Sequence, residues 1–482
     1  MILNSFDFII ALPLVLFLYV IILRLCRNSK YLNIISAALL TALSYAFFIF
    51  YQPVGALLLF AITVLTYTFA IIADKNRENS RQRFIMIVVG VLIVLTPLIL
   101  FKYSAFINQL LASLLDRLDI RQQTDSTDTQ TKVFIPLGIS FFTFQSLGYL
   151  WDVHRNKISV EKNFLYYMLF VGFFPQITSG PISKADELLP QIRGKRSITR
   201  EDITEGVRLM LWGYFMKAVV ADRVAMFVTP VYADYENFSG VTCIIATLFY
   251  SIQIYGDFAG YSLLAIGVGR LFGFKLINNF KRPYFSYSIT EFWRRWHISL
   301  SRWLRDYVYI PLGGSRKGKG RTHLNILTTF LVSGIWHGAN LTFIFWGFIH
   351  GIIQVVEKFF GFNAKPKSRV VIFFRIVLTF LLTSFAWIFF RMPTLSDSFG
   401  MIRRIFTLAP GASLSLTGSN TVLISFAVVS FILTEVIQEY MPKVRLLHNP
   451  NSFVRCVAIV AITLIIMTVG VLDAGQFIYV NF

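Results

Sequence analysis

The chain has 482 residues, of which 56% are hydrophobic and only 15% charged, where a soluble domain carries about 25% charged residues. With a mean hydropathy of +0.64 and long uncharged runs throughout, this excludes a water-soluble enzyme or binding module and predicts an all-α polytopic membrane protein. The net charge of +20 does not point to nucleic acid, because there is no soluble domain to hold a basic patch; Lys and Arg are expected to fill cytoplasmic loops.

The first apolar run, Phe8–Leu23, is preceded by Asp7 and by no positive residue. Arg24, Arg27 and Lys30 follow it in place of a small-residue cleavage site, so it reads as a retained span with its amino end outside. Tyr31 to Ala73 is free of charge, and Gln52-Pro53 divides it into two spans that end at the basic residues Lys75, Arg77, Arg81 and Arg83. Phe84–Phe101 goes back out. The polar stretch Asp116–Lys132 suits an outer loop, and Val133–Trp151 returns inward.

The run Asn163–Gly180 has positive residues on both flanks, so a single crossing would break the charge rule. Pro175, Gly180 and Pro181 break a helix there, which predicts a re-entrant hairpin sheltered by protein. Ser183 with Asp186 resembles a capping box opening a short cytoplasmic helix. Glu205–Val228 leads out to an acidic tip at Asp234 and Glu236, and Val241–Tyr255 comes back. Lys275–Arg321 is strongly basic and is placed on the cytoplasmic side. Asn325–Val356 leaves and returns as two short spans; Val370–Phe390, Thr421–Thr434 and Cys456–Leu472 complete the bundle. The expected architecture is one membrane domain over 1–482, with amino-terminal spans in 1–132, a core motif region in 133–357 and carboxyl-terminal spans in 358–482. About 11–12 transmembrane helices, with re-entrant and amphipathic helices, would surround a central tunnel.

Several residues carry chemistry. In Ser288–Arg321, Trp293, Trp296, Leu300, Trp303 and Tyr307 fall on one helical stripe, and Arg295, Ser299, Arg302 and Asp306 on another. This predicts an amphipathic helix in the inner interface, serving as a lipid anchor or as part of a site; His297 lies near its apolar side. The loop Gly313–Gly320 nearly matches a phosphate-binding P-loop, but Gly320 replaces the Ser or Thr that would hold magnesium, so nucleotide hydrolysis is rejected. Its charge suits a positive-inside loop or the attraction of an anionic carrier. Asp257 follows a span directly and requires a cavity or an ion-pair partner; Gly256 and Gly260 allow close backbone approach or a break. Cys26, Cys243 and Cys456 read as core thiols. No His, Cys, Asp or Glu cluster has metal-ligand spacing, and neither a GxSxG elbow nor a Ser-His-Asp set is evident. His154, His323 and His448 fit solvated or interfacial roles, and His350 fits a hydrogen bond to a neighbouring helix. His337 differs: it lies in the uncharged stretch Asn325–Val356, between Gly334 and Gly338, with Asn340 following. Small neighbours leave room for a ligand, and an imidazole with an ordinary proton affinity near neutral can accept a proton from an attacking hydroxyl.

Five ordered motifs, "FIPLGISFFTFQSLGYLWDVHR", "FFPQITSGPISKADELLPQI", "DFAGYSLLAIGVGRLFGF", "RRWHISLSRWLRDYVYIPLGG" and "SGIWHGANLTFIFWGFIHG", resemble the membrane-bound O-acyltransferase (MBOAT) family. The likeness is to its bacterial branch of alginate O-acetyltransferases and D-alanyl transferases of teichoic acid. The resemblance implies acyl transfer, with acetyl the expected group, from a cytoplasmic thioester (acetyl-CoA or an acyl carrier protein) to a hydroxyl on an extracytoplasmic polysaccharide or a periplasmic or extracellular relay partner. The site would be a tunnel in the bacterial cytoplasmic membrane, with no permanently bound cofactor and no metal. The family's catalytic histidine falls on His337, and its second position, His in this branch and Asn in many relatives, falls on His297. Tyr255, Asp257, Trp296, Trp336 and Asn340 are the expected tunnel lining. The chain departs from the commonest bacterial pattern at Ser262-Leu263, where relatives often carry Ser-Asp, so no acceptor-binding role is carried over to that position. D-alanyl transfer to teichoic acid is the alternative within the family, and a lipid-linked saccharide transporter or flippase the alternative outside it; the latter predicts inverted repeats, and none is visible.

Overall fold

A computed structural model describes residues 3, 6–104, 106–108, 136–195, 197–414, 416–444 and 446–471. The polar stretch Asp116–Lys132 lies outside them. Among the described residues every regular element is helical, and one isolated bridge joins Phe238 to Ala412.

Four long apolar helices come first: α1 Phe6–Leu25, α2 Leu32–Tyr51, α3 Pro53–Lys75 and α4 Ser80–Lys102. Pro53 occupies the first turn of α3, where its missing N–H costs nothing. Asn79 opens α4 by accepting from the Gln82 amide. Helix α5, Ile139–His154, packs against α3 and α4 and is buried on nearly every face. A broken element follows where a re-entrant or membrane-embedded hairpin was expected: α6 Phe164–Gly172 stops at an extended Phe173, and a single turn, α7 Phe174–Ile177, leads into irregular chain. Buried side chains serve this broken backbone. Gln145 donates to the Phe170 carbonyl, Gln176 donates to Gln145 Oε1 at 3.2 Å, and Ser183 donates to Gln176 Oε1 at 2.7 Å. Ser183 is therefore not a cap. Helix α8, Ala185–Arg193, begins after Lys184 without a side-chain cap, and Asp186 pairs with Lys157 instead.

A continuous rod then runs from α9 Arg200–Tyr214 through a π-helical segment, Phe215–Ala221, into α10 Asp222–Ala233. A Thr199/Asp202 capping box starts it. Helix α11 spans Gly240–Leu271 without interruption, which corrects the expectation of a span ending at Tyr255. Gly256 and Gly260 do not break it; close approach is their use. A Cβ on Gly213 or on Gly260 would lie 2.7 or 2.8 Å from the other's carbonyl oxygen, so α9 and α11 touch backbone to backbone.

The expected amphipathic helix is also corrected. The chain forms α12 Ile289–Arg295 and α13 Ile298–Leu304, broken at Trp296-His297, and then a π turn, Arg305–Tyr309. Its polar face finds protein partners. Arg295 pairs with Glu291 and Glu439, Ser299 accepts from the Ile182 amide, Arg302 pairs with Glu187, and Asp306 pairs with Lys184. Both faces have protein partners, and the segment is plugged into the bundle.

Helices α14 Gly318–His337 and α15 Leu341–Phe359 form the expected pair, followed by α16 Arg369–Arg391, α17 Leu395–Phe406, α18 Gly418–Tyr440 and α19 Ser452–Val469. Short α17, capped by Thr394, was not anticipated. Nine described helices are long and apolar enough to cross a membrane: α1 to α4, α11, α15, α16, α18 and α19. The expected count was higher because α5, α9 and α10, at 16, 15 and 12 residues, are each too short to qualify, and α14 opens on a polar, basic turn. The chain is a multi-pass membrane protein. One end of the bundle is basic, and there Arg282 and Arg295 grip Glu439 at the foot of α18. At the opposite end Arg404 donates to the Phe238 carbonyl and Asn340 to that of Pro393. Of the three cysteines only Cys243 is buried; Cys456 is exposed on α19 and Cys26 is half-exposed, so neither is a core thiol.

Candidate active site

His337 is the last residue of α14. Three features end that helix there. Gly338 has an extended backbone, Asn340 caps α15 by accepting from the Thr342 amide, and the pair turns back with little chain between. Glycines set the spacing of the two helices: a Cβ on Gly334 would lie 2.3 Å from the Phe343 carbonyl oxygen, and one on Gly347 2.3 Å from that of Phe330. His337 is 3% exposed and packs edge-on against Trp336, Trp346 and Phe390, with ring centroids 4.8, 5.0 and 5.2 Å away.

His297 arrives from the basic end by a different route. It stands in the break between α12 and α13 with φ +40°, a left-handed conformation that costs an L side chain about 1–2 kcal/mol. The neighbouring backbone holds it there: the Ile298 amide donates to the Asn279 carbonyl and the Lys281 amide to that of Arg295, each at 2.9 Å. The ring is 0% exposed, 4.7 Å from Phe258 and 6.0 Å from Trp336 between centroids. Neither of its nitrogens has a hydrogen-bond partner among the described side chains. Trp336 thus contacts both imidazoles. Beyond His337 the series continues through Trp346 to His350, which is fully buried and accepts from Trp293 Nε1 at 3.3 Å. That is the bond to a neighbouring helix expected for His350.

Buried polar atoms without described partners gather here: Trp336 Nε1, Trp346 Nε1, Ser333 Oγ, Thr342 Oγ1 and His350 Nε2, besides His297. Native interiors leave few such atoms; a concentration of them around two imidazoles marks a place prepared for polar groups that are not its own.

The other expected lining residues divide. Trp336 contacts both histidines. Trp296 is buried against Trp387 and 6.0 Å from Tyr255, whose hydroxyl donates to Glu435 at 3.0 Å. Asp257 pairs with Lys217 at 2.5 Å, and Lys217 also with Asp222 at 2.8 Å, so the ion-pair partner expected for it is a lysine of the π segment. Asn340 serves as the α15 cap and ties to Pro393. Of the remaining histidines, His448 pairs with Glu205 at 2.8 Å. The sequence reading missed Lys102, which is buried and donates to the Trp336 carbonyl at 2.8 Å. The signal in the sequence is a lone Lys between Phe101 and Tyr103 at the end of an apolar run.

At the basic end a cavity of about 580 Å³ opens between α12–α13 and α14–α15. Arg294, Arg302, Arg305 and Lys358 line its exposed part and Trp293 and Ser333 its buried part, with no acidic lining residue. Ser333 precedes His337 by four residues on α14, so the two share a face. Beside the cavity, burial pushes the Asp306 carboxyl up, but hydrogen bonds from Arg305 and Lys184 outweigh it and hold the group below its usual range.

A multi-pass helical bundle thus buries two imidazoles against one indole, with a cationic cavity reaching the same helix face; an imidazole is a side chain able to accept and return a proton. The model of the membrane-bound O-acyltransferase family matches residues 95–392. A probable alginate O-acetylase from Pseudomonas syringae pv. tomato is 36% identical over 442 residues, covering 89% of this chain and 80% of its own. A peptidoglycan O-acetyltransferase from Helicobacter pylori is 33% identical, covering 75% and 72%. A teichoic acid D-alanyltransferase from Bacillus subtilis is 28% identical, covering 53% and 68%. The chain belongs to the membrane-bound O-acyltransferase family and is an O-acyltransferase.

Proposed function

We propose that the enzyme transfers an acetyl group from a cytoplasmic thioester to a hydroxyl of an extracytoplasmic polysaccharide, directly or through a relay partner, in the bacterial cytoplasmic membrane. The observation that carries this reading is the burial of His297 and His337 in contact with the same Trp336, with neither nitrogen of His297 bonded to another described side chain. The donor, acetyl-CoA or an acyl group on a carrier protein, enters the basic-end cavity, where Arg294 and Lys358 meet its phosphates. Its thioester arm passes Ser333 toward His337.

The acceptor hydroxyl arrives from the other end. His337 takes its proton as the oxygen attacks the thioester carbonyl; the C–S bond then breaks, and the departing thiolate takes the proton from the imidazolium to leave as a thiol. No acyl-enzyme forms. His297 orients the donor or acceptor or shares the proton. The relatives described as alginate and peptidoglycan O-acetyltransferases favour acetyl over D-alanyl transfer, since they match more of the chain at higher identity than the D-alanyltransferases do.

General-base assistance is worth about 10²–10⁴-fold. Purified enzyme in lipid nanodiscs with radiolabelled acetyl-CoA and candidate glycans should transfer label, and His337→Ala should lose two to four decades of rate (about 10²–10⁴-fold) at unchanged folding. Full transfer by that variant would overturn the assignment. Glycan movement across a bilayer without thioester consumption would establish the transporter instead.

A further inference from the structure

Lys102 and Tyr103 end α4 and reach a different helix. Lys102 Nζ donates to the Trp336 carbonyl at 2.8 Å and to Ser140 Oγ at 3.3 Å; the Tyr103 hydroxyl donates to the Ile335 carbonyl at 2.6 Å. Two adjacent residues therefore satisfy two adjacent carbonyls in the last turn of α14. Those carbonyls need external donors, because a helix leaves its final four without intrahelical partners; the Gly338 amide reaches only the Gly334 carbonyl, at 3.4 Å. The ammonium also sits 5.8 Å from the Trp336 ring centroid, and a cation complements the negative end of a helix.

A simple cap does not require a buried ionisable side chain. Lys102 is 8% exposed, and no carboxylate pairs with it among the described residues. An ionisable side chain buried among neutral oxygens at the end of a membrane-spanning helix is expensive and marks function more often than packing. Here its neighbours are the peptide unit leading into His337 and the indole that contacts both imidazoles.

We propose that Lys102 and Tyr103 are positioning residues: a two-point clamp from α4 that fixes the last turn of α14 and so sets where His337 and Trp336 point. The clamp rests on His337 being the base only for its kinetic consequence; its structural consequence stands alone. A displacement of about 1 Å at a reacting group costs on the order of 100-fold, so a loose last turn is felt in turnover, while the cationic mouth of the donor cavity, at Arg294 and Lys358, lies on other elements and keeps its affinity.

The test compares Lys102→Met, Lys102→Arg and Tyr103→Phe in nanodiscs. Two things are measured: acetyl-transfer kinetics, and the rate at which diethylpyrocarbonate modifies His337, followed by peptide mass spectrometry. Lys102→Met should lower kcat by about 10–100-fold with KM for acetyl-CoA changed less than about threefold, and should speed His337 modification. Lys102→Arg, which keeps the donor and charge, should recover part of both; Tyr103→Phe should move both in the same direction by a few-fold. Unchanged modification in both Lys102→Met and Tyr103→Phe overturns the clamp. If modification quickens but kcat holds, the clamp stands and the reading of His337 as base fails. If Lys102→Met does not fold, Tyr103→Phe, which keeps every atom but one hydroxyl oxygen, decides alone.

Discussion

His337 closes a helix of 20 residues, whereas His297 stands between two helices of 7 residues each in a left-handed backbone conformation. His337 is located by main-chain geometry: continuous helical hydrogen bonding, glycine contact between α14 and α15, and donors from α4 to its carbonyls. His297 is located by side-chain charge and loop pairing. Arg295, two residues earlier, is held by Glu291 and by Glu439, and Glu439 also holds Arg282. The two rings contact the same tryptophan, yet one support is close main-chain packing and the other joins backbone pairing to charged side chains. Steric supports fail abruptly, because close-packed backbones have no room to yield; charged supports weaken in proportion to the charge removed.

The sharpest break in the comparison is Gly334→Val. A Cβ there would stand 2.3 Å from the Phe343 carbonyl oxygen, and the obstacle is backbone. The helices must separate, at a cost of about 3 kcal/mol or more, and the variant should lose its folded fraction in a detergent melting assay along with all transfer. A Gly334→Val enzyme of normal melting temperature would show that α14 and α15 are not locked.

His297→Asn probes the other support. Asparagine tolerates left-handed backbone better than most residues, so the fold should survive with its melting temperature within a few degrees. Turnover should fall by roughly 10–100-fold if the ring orients a reactant or shares its proton. Melting lowered in step with activity would reduce His297 to a packing residue.

The unequal supports also explain what the sequence disclosed. Apolar runs and positive flanks revealed α1 to α4, α16, α18 and α19 and the broken element around Phe173, because lipid thickness and charge asymmetry act on the chain locally. The Trp293–Tyr307 stripe suggested one interfacial helix, since helical spacing cannot register that both faces find protein partners. Nothing local to Trp296-His297 announces a break either: the residues are ordinary helix formers, and the left-handed angle is imposed by pairing with Asn279 and Lys281. The Asp257–Lys217 pair and the Lys102 contact join residues 40 and 234 positions apart, beyond any periodicity. His337 was legible because an ionisable ring between two glycines in an uncharged stretch is anomalous within a few residues of itself.

The electrostatic side yields the smallest expected effect and tests the comparison most finely. Glu439→Gln keeps shape and hydrogen-bonding capacity but removes the charge that faces Arg282 at 2.6 Å and Arg295 at 2.9 Å. Arg295 retains Glu291 at 2.6 Å, so the segment should loosen rather than detach, for a loss of about 1–2 kcal/mol. Because Glu439 lies on α18, beyond residues 95–392 matched by the family model, the effect would show that the carboxyl-terminal helices help to set His297. Turnover should drop a few-fold while the rate of His337 modification stays at the wild-type value, since no ion pair of Glu439 reaches α14. Pairing Glu439→Gln with Lys102→Met should then give a product of the two separate losses, as independent supports require. A combined loss no larger than that of Lys102→Met alone would mean that one framework holds both rings, and the distinction between the two supports would collapse.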